Sequence, residues 1–208
     1  LSDSIDGANV RIIEDTFYLN TNEKWYSQYL DLVILNSNEY MLIDNDGDLD
    51  VLSASALDDK IAWYESDGAA DPSFTARTIS TSATSAHSVY AADIDSDGDM
   101  DVLSASYLDD KIAWYESDGA ADPSFTARTI STSADGPVFV YAVDIDNDGD
   151  MDVLSASKVD DKIAWYENDG ASNPSFTART ITTSADGVYS VYAADIDNDG
   201  DMDVLSAS

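Results

Sequence analysis

Along most of the chain, short apolar and aromatic runs alternate with polar clusters of Asp, Ser, Asn and Gly. The runs are rich in Val, Ile, Tyr, Trp, Phe and Thr and carry no 3.6-residue period, so they predict β-strands rather than helices. From residue 88 onward the expected strands are Ser88–Ile94, Val102–Ser106, Lys111–Glu116 and Phe125–Ile130. The clusters between them, Asp-Ser-Asp-Gly, Leu-Asp-Asp and Ser-Asp-Gly-Ala-Ala-Asp-Pro-Ser, have turn chemistry.

The pattern repeats with a step of 51 residues: Asp46, Asp97, Asp148 and Asp199 sit in the same local sequence, and Trp63, Trp114 and Trp165 keep the same spacing, as do Phe74, Phe125 and Phe176. Four strands per unit of this length is the arithmetic of a β-propeller blade. The expected fold class is therefore all-β, a β-propeller-type tandem array of four-stranded blades. A β-solenoid is the runner-up, although its coils are usually shorter. Units start near residues 39, 88, 139 and 190, and the last stops at Val204–Ser208, which matches a second strand. Residues 1–38 diverge from the repeat. Val10–Tyr18 and Tyr29–Leu35 still read as strands there, and Glu39–Ile43 stands in the place of a first strand. The divergent segment can complete a blade of its own chain or of a neighbouring one, and a cut from a larger propeller fits the same pattern. The chain begins at Leu1 with no signal peptide or basic targeting segment, as expected of a processed form or an excerpt.

Charge narrows the picture. The 208 residues carry a formal net charge of −33, with nine Lys and Arg against 42 Asp and Glu. Nucleic acid and anionic membrane surfaces are excluded as partners, and no apolar run approaches the ~20 residues that span a bilayer. With no Cys and a single His, disulfide scaffolds, thiolate zinc sites and His-based triads are excluded too. Of the acids, 36 are Asp and six are Glu. Asp suits turns and the coordination of hard cations, whereas Glu suits helices.

The placement of the Asp residues makes this specific. The motif D-x-D-x-D-G-x-x-D occurs in full three times: Asp93, Asp95, Asp97, Gly98, Asp101; Asp144, Asp146, Asp148, Gly149, Asp152; and Asp195, Asp197, Asp199, Gly200, Asp203. Alternate carboxylates in a tight loop can point at one centre, and the Gly permits the bend. The residue after the Gly (Asp99, Asp150, Asp201) can add a backbone carbonyl. So many hard oxygen donors suit Ca2+, which takes six to eight ligands, better than Mg2+ with its strict octahedron. The opening is like that of an EF-hand loop, but the closing acid falls at the ninth position and no helices flank it. In the first unit Leu42 replaces the first Asp, leaving Asp44, Asp46, Asp48 and Asp50, so a weaker site is expected there.

Other recurring residues have structural readings. The Trp series fits packing between blades better than a ligand platform. The pairs Asp58-Asp59, Asp109-Asp110 and Asp160-Asp161 recur in hairpin turns, which favours turn structure over two-carboxylate glycosidase chemistry. Arg77, Arg128 and Arg179 are expected to pair with neighbouring acids, and His87 to be solvated in a variable loop. The large differences between units gather in the second-to-third and fourth-to-first strand loops, on the face opposite the acidic loops. They single out Tyr107, Pro137, Phe139 and Tyr189 as partner contacts. Elsewhere the exchanges are mild, mostly among Ser, Asn and Asp.

The stretches Asp144-Ile-Asp-Asn-Asp-Gly-Asp-Met-Asp-Val-Leu-Ser-Ala-Ser157 and Lys162-Ile-Ala-Trp-Tyr-Glu-Asn-Asp-Gly170 resemble the FG-GAP/VCBS repeats of bacterial secreted and surface proteins, related to the integrin α-subunit propeller. The resemblance covers about residues 39–208. It implies a β-propeller, calcium in the loop between the first two strands of each blade, and an extracellular or cell-surface setting. The expected function is a structural or adhesive module that is not an enzyme. Self-association into a homo-oligomer or head-to-tail filament by strand complementation is expected, since near-identical blades suit a neighbouring chain as well as their own. The alternative is a propeller that binds a glycan or protein ligand.

Overall fold

The computed structural model describes residues 42–208 and, as backbone elements, four strands between residues 4 and 27. Those four are β1 (Ser4–Ile5), β2 (Ala8–Ile13), β3 (Thr16–Thr21) and β4 (Lys24–Ser27), paired antiparallel in the order β1-β2-β3-β4. The run Val10–Tyr18, expected as one strand, is divided between β2 and β3, where Ile13 pairs with Thr16. The expected strand Tyr29–Leu35, and residues 39–41 of Glu39–Ile43, lie outside the described residues. Leu42 and Ile43 are not in a strand.

The repeat region builds a series of antiparallel sheets, and no helix occurs among the described residues. The first sheet holds β5 (Val51–Ser55), β6 (Lys60–Ser66) and β7 (Phe74–Ser80). The second holds β8 (Ala86–Ala92), β9 (Asp101–Ser106), β10 (Lys111–Ser117) and β11 (Phe125–Ser131), and the third β12 (Pro137–Val143), β13 (Asp152–Ser157), β14 (Lys162–Asn168) and β15 (Phe176–Thr182). The last holds β16 (Ser190–Ala194) and β17 (Asp203–Ala207). Four-residue turns such as 107–110 join second to third strands, since Ser106 pairs with Lys111. Each such turn ends on an Asp at positive φ, 56° at Asp59, 54° at Asp110 and 52° at Asp161. Asp tolerates that left-handed conformation better than most side chains.

Successive sheets stack: β8 lies on β5, β12 on β8 and β9, and β16 on β12 and β13. Because side chains alternate along a strand, an inner sheet feeds two cores. Ala113 and Tyr115 of β10 join Leu52, Ile61 and Trp63 between the first two sheets. Ile112 and Trp114 of the same strand join Leu103, Val140 and Tyr166 between the second and third. A third cluster, with Val138, Leu154, Ile163, Val191 and Trp165, lies between the third and last. Trp63 and Trp114 are fully buried, and burying an aromatic of about 200 Å² contributes roughly 5 kcal/mol. The edge strands β7 and β11 are partly exposed and β15 largely so, matching their polar Phe-Thr-Ala-Arg-Thr-Ile pattern. The four repeat sheets stack in a row, and no closed ring is seen among the described residues.

Each hairpin turn is tied to the loop that leads into the next sheet. Asp59, Asp110 and Asp161 accept hydrogen bonds from the backbone N–H of Ser85, Gly136 and Gly187, at 2.8, 3.1 and 2.9 Å. Their neighbours Asp58, Asp109 and Asp160 pair with Lys60, Lys111 and Lys162. The Asp-Asp pairs are thus turn and junction elements. Arg77, Arg128 and Arg179 pair with Glu65, Glu116 and Glu167 across the two outer strands.

Candidate metal centre

The second, third and fourth acidic loops each run from the end of a first strand to the start of a second, so the sheet fixes both ends, and the first loop leads into β5. Two backbone reversals shape it. The fourth loop position has φ near 60° at Asn45, Ser96, Asn147 and Asn198, and the glycine two residues on has φ between 95° and 100°. At that glycine a side chain would be strained.

In the second loop Asp93 closes the turn from within: its Oδ1 accepts the N–H of Asp97 and its Oδ2 that of Gly98, both at 3.0 Å. Asp101 anchors the loop to the sheet. Its Oδ2 accepts the N–H of Ile94 at 3.1 Å and its Oδ1 the N–H of Ser117, at the end of β10, at 2.8 Å. The third loop repeats this with Asp144 holding Asp148 and Gly149, and Asp152 holding Ile145 and Asn168. In the fourth, Asp195 holds Asp199 and Gly200 and Asp203 holds Ile196.

Carboxylate oxygens converge to within 4.8 Å of one another in three sets: Asp93, Asp95 and Asp101; Asp144, Asp146 and Asp152; and Asp195, Asp197 and Asp199. These clusters can hold a metal ion. Asp95 tests the fit independently. Only 8% exposed, it leaves its Oδ1 buried with no hydrogen-bond partner, a costly arrangement for a charged oxygen unless a cation meets it. Burial raises the Asp95 carboxyl above its usual range, and the charges of Asp97, Glu116 and Asp93 add to that. Burial likewise pushes Asp101 up to about 7 and Asp50 and Asp152 to about 6, against the hydrogen bonds each accepts. Acids held above their normal range by burial and like charge are what a cation would return to the ionised form.

The first loop is built differently. With Leu42 at its first position the clasp seen at Asp93 is missing, and the N–H of Asp46 turns instead to Asp44 Oδ1 at 3.2 Å. No convergent set of three forms there among the described residues. Asp50 still anchors the loop to Ile43 and Ser66.

The residue after each glycine is expected to offer its backbone carbonyl, and its side chain lies elsewhere in the first three loops. The carboxylates of Asp48, Asp99 and Asp150 do not join the convergent sets. A methyl group at Gly68, Gly119 or Gly170 would come within 2.0, 1.9 or 2.1 Å of them, so they lie over the hairpin between the third and fourth strands. The reversal at the preceding glycine turns them outward, leaving only their carbonyls for a cation. Among the described residues no such hairpin faces Asp201, whose sheet holds β16 and β17. Asp97 and Asp148 also stand outside the triplets, each accepting the N–H of the residue two positions on, Asp99 and Asp150.

On the opposite face, Tyr107 is half-buried with its ring 5.2 Å from that of His87. His87 lies in β8, not in a loop, and burial lowers its pKa. Pro137 is buried in β12, and Phe139 packs against the third core cluster. Tyr189 is 58% exposed, with Lys158 Nζ 4.0 Å from its ring centre.

Sequence reasoning passed over three amides. Asn45 Nδ2 donates to Asp99 Oδ1 at 3.1 Å, and Asn147 Nδ2 to the Gly200 carbonyl at 3.2 Å. Asn168 donates to the carbonyls of Ile94 and Met151. The available signal was the Ser-to-Asn exchange at 168, where the other units carry Ser66 and Ser117.

Fold and loops together define a tandem array of antiparallel sheets, two of them four-stranded, with an acidic loop leading into the second strand of each repeat. The chain belongs to the FG-GAP-like repeat family, whose model matches three times, at residues 43–104, 93–155 and 148–206. No curated protein matches the chain.

Proposed function

We propose that this chain is a calcium-stabilised structural or adhesive module of the extracellular space, able to associate head to tail with further copies of itself. The observation that carries the calcium reading is the buried, unpartnered Oδ1 of Asp95 among converging carboxylates. The ligands in the second loop are Asp93, Asp95, Asp97 and Asp101 with the Asp99 carbonyl. The third and fourth loops use the same positions, and the first loop, with Asp44, Asp46 and Asp50, binds more weakly. Bound calcium offsets part of each loop's negative charge and fixes the end of one strand against the start of the next. All-oxygen donors in a loop of mixed carboxylates and carbonyl favour Ca2+ over Mg2+. No residue is assigned a catalytic role. Calorimetric titration of the metal-free protein tests this. Binding at the three complete loops, with a weaker step for the first, is the expected result, and a flat titration would overturn it.

Self-association is supported by the last sheet. Tyr192, Leu205 and Ile196 are exposed there, whereas the matching Tyr90, Leu103 and Ile94 are buried against the third sheet. A copy stacked on β16–β17 would cover the same chemistry, with residues 1–38 as the segment available to complete a blade. Electron microscopy of the purified chain should show linear or closed assemblies that Leu205→Glu abolishes. Monomers at high concentration with calcium would sink this part.

A second reading rests on the opposite face. The turn tips Leu57, Leu108 and Val159 recur at 51-residue steps and are exposed, Leu57 by 91%, and Tyr189 is exposed against Lys158, next to Val159. This row suits a glycan or protein ligand. Leu108→Ala with Tyr189→Ala would then abolish retention of that ligand and leave self-assembly intact.

A further inference from the structure

We infer that successive acidic loops bind cations as a coupled row, and that Asn168 is the positioning residue carrying the coupling between the second and third loops. This rests on the calcium reading above.

Each junction between neighbouring loops is spanned by a side-chain amide. The first uses Asn45 on Asp99, and the third uses Asn147 on the Gly200 carbonyl. At the second junction the equivalent residue is Ser96, a shorter side chain with no amide. There the chain carries Asn168 at the end of β14 instead. In the other units Ser66 and Ser117 accept the N–H of Gly68 and Gly119. Asn168 keeps that role, accepting the N–H of Gly170 at 3.0 Å, and adds two donors. Its Nδ2 reaches the Ile94 carbonyl at 2.9 Å and the Met151 carbonyl at 3.0 Å. Its backbone N–H meets Asp152 Oδ1 at 2.8 Å.

The consequence follows from where these atoms lie. Ile94 sits between Asp93 and Asp95 in the second loop, and Met151 immediately precedes Asp152 in the third. Asn168 is only 3% exposed, and both amide hydrogens and its carbonyl are engaged. A cation that fixes the backbone around Asp93 and Asp95 therefore fixes one end of this bridge, and the bridge presents Asp152 to the next loop. The second cation meets a loop already ordered, so its ordering cost is smaller. The effect is reciprocal between the two loops. Electrostatics pulls the other way, since a bound cation weakens the attraction of the neighbouring loop, but that effect does not depend on the amide. Comparing variants at position 168 isolates the bridge.

The test is calcium calorimetry on the full chain in a double-mutant cycle of Asn168→Ser and Asp95→Asn, which removes binding at the second loop. The third-loop step is identified as the one lost in Asp146→Asn. Asn168→Ser is expected to weaken that step about tenfold, within the 5–150-fold typical of coupled sites, while the fourth-loop step is unchanged. Asp95→Asn is expected to weaken it by less, because losing the neighbouring cation also relieves its repulsion, and adding Asn168→Ser in that background should change the step little further. A residue that merely supports the third loop would weaken its step equally in both backgrounds, and that result, or no effect at all, overturns the coupling. A flat titration of the unaltered chain removes the calcium reading itself, and the coupling with it.

Discussion

Two acids in the same loop should respond to the same change with opposite signs. Replacing Asp95 by Asn removes a charge whose Oδ1 is buried and unpartnered in the metal-free protein. Its carboxylate lies within 4.8 Å of those of Asp93 and Asp101. At that separation two unit charges repel by about 1 kcal/mol at the dielectric constant of water and by about 3.5 kcal/mol at an effective value near 20. At pH 8, in chelator, Asp95→Asn should therefore stabilise the protein by about 1–3 kcal/mol, a rise in Tm of roughly 2–12 °C for a chain this size. Asp101→Asn should do the reverse. Its two oxygens serve the N–H groups of Ile94 and Ser117, and an Asn leaves one of them facing an NH2 group. A buried donor without an acceptor costs about 1–3 kcal/mol. Both variants lose calcium binding at this loop. The assay is a thermal melt followed by circular dichroism, with and without calcium. If Asp95→Asn destabilised the metal-free protein as much as Asp101→Asn, the assignment of an uncompensated charge at Asp95 would be wrong.

Three further outcomes are expected. Chelation should lower Tm, because each site held at a hundredfold excess over its Kd contributes about 2.7 kcal/mol; an unchanged melt would remove the stabilising role of calcium. Leu42→Asp should restore the clasp of the first loop and tighten its calorimetric step, whereas an unaltered titration would place its weakness elsewhere. The metal-free protein should melt higher at pH 5 than at pH 7.5. With Asp101 raised to about 7 and Asp50 and Asp152 to about 6, the folded state holds more protons than the unfolded chain, whose carboxyls titrate near 3.8. Stability thus grows as pH falls from about 7 towards 4, and with calcium present the gain from the ion is lost over the same range. A metal-free Tm that dropped on acidification would contradict those raised acids.

The repeat, its four strands and the acidic loops were legible because each rests on local pattern. Ile94 shows where local reading stops. As an apolar residue it extends the expected first strand to Ile94, yet β8 ends at Ala92 because the Ile94 N–H bonds the Asp101 carboxylate instead of a neighbouring strand. For the same reason Asp101, not Val102, opens β9. In the site, the alternating carboxylates could be named from spacing, but the outward turn of Asp99 depends on a backbone reversal that spacing does not encode. Asn168 was invisible for another reason. An exchange of Ser for Asn changes little in polarity, and one of its partners, Ile94, lies 74 residues away. Pro137 is buried and Phe139 packs partly against the third core cluster, surroundings that the differences between units do not reveal.

The hexapeptide Asp-Val-Leu-Ser-Ala-Ser occurs four times, at residues 50–55, 101–106, 152–157 and 203–208. In β9 and β13 every one of its residues is buried, whereas in β17 most are exposed. Identical letters thus sit in graded surroundings, and the chain carries its own internal calibration. In such an array stability propagates between nearest neighbours, so amide exchange should be quickest in β17 and slowest in the covered strands β9 and β13. Any copy that docks on the last sheet would reveal itself as slowed exchange in β17.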